Sequence, residues 1–162
     1  MEALQNYRWW EYLDGSQRDG LVSSFSLLKR EEINRTQGVS EFSFIVFPAA
    51  KAYEGFLKKF LFDLGFISKF QYEGDRFRIG RALNPNLEEN FRHESVYDKL
   101  KEYCGGESLP DKLWKTWKNC RNLLFHWWPG DDNAITLEEA GRRIWEIVGA
   151  IDAAFIECKG EK

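Results

Sequence analysis

Apolar residues recur at helical spacing along most of the chain, and breaks between the stripes divide it into elements. Residues 2–13 read as a short helix that stops at Asp14–Gly15. Residues 19–35 carry Leu21, Phe25 and Leu28 on one face, which Glu32 or Ile33 continues. Gly38 and Ser40 interrupt the period. Ser40 is a good N-cap residue for a helix over 41–64, with Ala50, Tyr53, Leu57, Phe60, Leu61 and Leu64 on its stripe and Gly65 as its stop. Pro48 lies inside this stretch, so it either opens the helix at the first position or kinks a longer one.

Residues 68–86 lose the helical period. The run "KFQYEGDRFRIGRALNP" sets two short alternating segments about a Gly–Asp turn, which predicts a small hairpin or an ordered loop. A helix then runs from 86 or 94 to Tyr103 and stops at Gly105–Gly106. The next, over 111–126, carries Leu113, Trp117, Cys120 and Leu124. The residue before a proline avoids helical geometry, so Trp128 falls outside the helix. Thr136-x-x-Glu139 forms a capping box for a last helix, with Leu137, Ala140, Ile144, Val148, Ile151 and Phe155 buried. Four or five long helices with short links predict an all-α, up-and-down bundle.

Composition sharpens this only in places. The 162 residues suffice for one domain with its own core. Aromatic residues reach 16%, with seven Trp and thirteen Phe, enough for a dense core or for a core plus an aromatic interface. The net charge of -3 gives no global basic signature, so nucleic-acid binding needs a local patch. Three cysteines with no C-x-x-C pair argue against a disulfide framework or a zinc site and for a reducing cytosol. The N-terminus has no apolar signal-peptide core. The longest apolar stretch, residues 42–66, is too interrupted by charges and Pro48 to span a membrane. No cofactor or metal motif is present, and the adjacent Asp131 and Asp132 read as a solvated turn.

The chemistry concentrates in "CRNLLFHWWPG", residues 120–130, which holds one of only two histidines. His126 follows Arg121 by five residues. On a regular helix that spacing turns about 140° and climbs roughly 7.5 Å, so the two side chains share a pocket only if the helix ends before Pro129. A helix C-terminus favours protonated imidazole. Both residues also suit the bland role of compensating the helix dipole. Trp127 and Trp128 read as interface anchors, as base-stacking surfaces, or as a lid on the bundle. Lys51 and Glu54 form an i, i+3 pair on a helix. Arg76, Arg78 and Arg81 either grip phosphates or decorate an exposed loop. His93 reads as a surface residue.

"RNLLFH" resembles the R-x4–6-H motif of the HEPN superfamily, and its place near the end of a late helix, before a loop and a final helix, is similar too. The resemblance extends over residues 20–157 and is strongest to the toxin domain of RNase LS-type toxins, whose additional N-terminal domains have no counterpart in these 162 residues. It implies a metal-independent endoribonuclease that uses no cofactor and leaves 2′,3′-cyclic phosphate ends. Arg121 and His126 become catalytic, and Asn122 fills the polar place after the arginine. Lys51 and Glu54 match a basic residue three before a glutamate on a helix lining the site. The implied partners are RNA, a second copy of the chain in a homodimer, and an antitoxin protein. The other HEPN role is a non-catalytic module that binds RNA, a nucleotide or a partner protein.

Overall fold

A computed structural model describes residues 2–127, 129–130 and 134–159. The fold is an all-α bundle, with no strand among the described residues. In chain order the helices are α1 (Glu2–Gln5), α2 (Gly15–Ile33), α3 (Ser43–Asp63), α4 (Lys69–Glu73), α5 (Ile79–Ala82), α6 (Val96–Tyr103), α7 (Ser108–Trp117) and α8 (Leu137–Ala154). A 3-10 turn, Glu89–Glu94, precedes α6. Short π-helical segments continue α7 through Lys118–Asn122 and α8 through Phe155–Lys159. No helix among the described residues is long and apolar enough to cross a membrane.

The core is built around α3. Ile45, Val46, Ala49, Tyr53, Phe56, Leu57, Phe60 and Leu61 are buried on it, against Leu21 and Leu28 of α2 and Ile144, Ile147, Val148 and Ile151 of α8. Pro48 lies inside α3, not at its start. The helix begins at Ser43 because the Glu41 carboxylate accepts from Ser43 N and Oγ, which takes the capping role from Ser40. Around the proline, the buried Ser24 hydroxyl of α2 accepts from Ala49 N at 2.9 Å. The helices cross closely there. A Cβ at Gly20 would lie 2.7 Å from the Pro48 carbonyl oxygen. Gly65 ends α3 at φ 72°, with Phe66 N bonded to Leu61 O and Gly65 N to Phe62 O, a Schellman stop.

Four expectations are corrected. Residues 2–13 hold only one helical turn. The rest is a series of i→i+3 turns that buries the adjacent Trp9 and Trp10, with Trp9 Nε1 donating to Asp152. Asp14–Gly15 starts α2 instead of ending a helix, because Asp14 and Gln17 form a capping box. Residues 68–86 hold no hairpin. The Ser68–Gln71 capping box nucleates α4, and α5 follows after a short link. Finally, Cys104 and Cys158 form a disulfide, while Cys120 is free and buried. The two partners are 54 residues apart, so their pairing is a tertiary contact that local spacing does not reveal. It removes the ground for inferring a reducing compartment.

Candidate functional site

The backbone leaves helical geometry where the two motif residues need it to. The Tyr53 hydroxyl of α3 donates to the Leu113 carbonyl of α7 at 3.1 Å. One turn later the hydrogen-bond ladder widens to i→i+5, with Leu123 N bonded to Lys118 O. Residues 123–125 turn, and His126 follows outside the helix. Cys120 anchors the π segment: it is fully buried, and burial pushes its thiol pKa well up.

Arg121 and His126 therefore line the same two cavities despite their helical phase. One, about 480 Å³, also includes Asn122 and Glu54, with Arg78 and Arg81 from the α4–α5 region and Trp114 and Trp117 from α7. The other, about 390 Å³, adds Lys51, Phe47, Ala50 and Phe125. Glu54 belongs to both. Its carboxylate accepts from Arg121 Nε at 3.2 Å, each side chain being about one third exposed. This replaces the local Lys51–Glu54 pair read from spacing. Lys51 is exposed, with its ammonium 5.9 Å from the centre of the Phe47 ring.

The Arg121 guanidinium lies 5.8 Å from the Trp117 ring centre. It has one nitrogen on Glu54 and its terminal nitrogens in no hydrogen bond among the described residues. That arrangement fixes the plane of the fork and leaves the terminal N–H groups to face an anion. Trp117 stacks on Trp114 at 6.0 Å, and its buried indole N–H has no hydrogen-bond partner among the described residues. Gly80 of α5 presses on the same ring, so close that a Cβ there would lie 2.1 Å from it.

The basic cluster divides. Arg78 and Arg81 line the Arg121 cavity, whereas Arg76 lines an adjoining one. Arg81 is paired with Glu94 at 3.2 Å and lies over Phe91. Trp127 is 78% exposed, which is not the burial expected of a lid. Trp128, Asp131 and Asp132 lie outside the described residues. His93 is exposed beside Glu94. The tryptophans of α7 and Phe77, which line these cavities, were not singled out from sequence. Trp117 sits on the apolar stripe and reads there as core.

No protein-family model, curated protein or solved structure matches the chain.

Proposed function

We propose that the chain is a HEPN-like, metal-independent endoribonuclease, acting as a toxin or phage-defence effector. The observation that carries this is the convergence of Arg121 and His126 on shared cavities with Glu54, although a regular helix would turn them apart. In this reading the ribose 2′-oxygen attacks the adjacent phosphorus and the bond to the 5′-oxygen breaks. One proton leaves the 2′-hydroxyl and one reaches the departing 5′-oxygen. Arg121, oriented by Glu54, holds the phosphate and stabilises its developing charge. His126 moves a proton in this step. Asn122 and Lys51 border the reacting phosphate, and Arg76, Arg78, Arg81 and Trp127 hold flanking RNA. Trp128 has the same proposed role.

One arginine and one histidine make a sparse site, and a homodimer with both motifs at its two-fold axis would double it. The exposed Trp127 and Phe47 supply apolar surface beside the motif for that contact. An antitoxin protein is the other partner of this reading.

A second reading, a non-catalytic module that binds RNA, a nucleotide or a partner protein, is favoured by one observation: Glu54 already partners Arg121. The test is incubation of the purified protein with mixed cellular RNA in EDTA. Wild type should cut, and His126→Ala and Arg121→Ala should each lose about 10²–10⁴-fold in rate. Cutting by His126→Ala at the wild-type rate would refute the ribonuclease reading. Binding without cutting by the wild type selects the second one.

A further inference from the structure

One cavity adjoins the motif without containing it. It measures about 490 Å³ and is formed by the α4–α5 region, with Phe70, Phe77 and Leu87 as apolar lining and Arg76, Arg78 and Arg81 as basic lining. It shares Phe77, Arg78 and Arg81 with the cavity that holds Arg121 and His126. Phe70 is 82% exposed, an open aromatic face at this cavity. Arg76 makes no hydrogen bond or ion pair among the described residues, and Arg78 donates only to the backbone carbonyl of Asp75 at 3.2 Å. Two carboxylates, Asp75 and Glu94, also line the cavity, but Glu94 is engaged by Arg81. The two guanidinium groups of Arg76 and Arg78 are thus unspent beside an aromatic surface.

We propose that this cavity is a base-binding subsite for single-stranded RNA, taking the base of a nucleotide that neighbours the cleaved bond. The inference rests on the ribonuclease reading and deepens it. Phe70 and Phe77 offer ring faces on which an unpaired base stacks, while Arg76 and Arg78 hold the phosphates that lead to Arg121. Stacking is tolerant of base identity, but a concave pocket edged with polar groups discriminates by size and hydrogen bonding. The cavity therefore sets the base preference at a fixed distance from the cut. Duplex RNA does not present a free base and is excluded from the subsite.

The probes are uncleavable 2′-O-methyl single strands of mixed sequence, bound to the full chain, and natural RNA whose cut ends are sequenced. Phe70→Ala should weaken binding by roughly 5- to 100-fold and flatten the base preference at one position near the cut. Arg76→Ala should weaken all sequences alike and reduce the salt dependence, by a slope of about 0.7 for one lost single-strand phosphate contact. The exposure of Phe70 means that its variant keeps the fold, which circular dichroism checks. Should Phe70→Ala bind as wild type and cut with unchanged preference, the subsite is wrong while the ribonuclease reading stands. A wild type that neither binds the strands nor cuts RNA removes both.

Discussion

Gly80 shows how tightly single residues constrain the site. With 2.1 Å between a hypothetical Cβ and the Trp117 ring, Gly80→Ala must push the ring or α5 aside. Overpacking of this kind costs about 1–3 kcal/mol, so the urea midpoint should fall while the m-value stays constant. Trp117 also lies beside the Arg121 guanidinium, so under the proposed ribonuclease function the same variant should lose RNA cleavage beyond its loss of stability. A variant as stable as the wild type would show that the contact relaxes freely. At this scale part of the candidate site was legible in the sequence. Arg121 and His126 are near neighbours in the chain, and a short motif exposes both. The partner of Glu54 was misread because local spacing favours Lys51, three residues away, whereas Arg121 reaches it only through the packing of α3 against the π segment.

The elements were legible wherever one apolar stripe faced one core, as on α3 and α8. Of the two readings of residues 68–86, a hairpin or an ordered loop, the hairpin failed because alternation over a few residues is weak against a capping box. Ser68-x-x-Gln71 was itself readable in the sequence, as was Asp14-x-x-Gln17 at the start of α2. The widening of α7 beyond Trp117 was not legible, because no proline or glycine in Lys118–Asn122 marks it. The path of α3 through Pro48 depends on a hydroxyl from α2. Ser24→Ala would leave the Ala49 N–H without its buried acceptor, at a cost of about 1–3 kcal/mol in thermal or urea unfolding. A neutral outcome would mean that Ala49 finds another acceptor within its own helix.

For the whole molecule, the disulfide is the largest single constraint that the periodic pattern did not disclose. It joins the end of α6 to the C-terminal π segment across 54 residues. By chain entropy alone, a loop of that length is worth about 4 kcal/mol, so reduction or the Cys104→Ser variant should lower unfolding stability by an amount of that order. Equal stability with and without reductant would show that the reduced denatured chain is already compact. Local electrostatics support the same end of the bundle. The Tyr97 hydroxyl, its pKa pushed up to about 12 by burial first and Asp111 second, donates to Asp111 at 2.7 Å and ties α6 to α7.

The same bond has a topological effect. It closes residues 104–158 into a covalent ring that contains Arg121, His126 and all of α8. A protease that cuts once between the two cysteines opens the ring without freeing a fragment. Such a nicked molecule migrates as one species on a gel run without thiol and as two with it. Chain cleavage inside the motif-bearing segment therefore releases no fragment in the oxidised state and adds only the mass of one water.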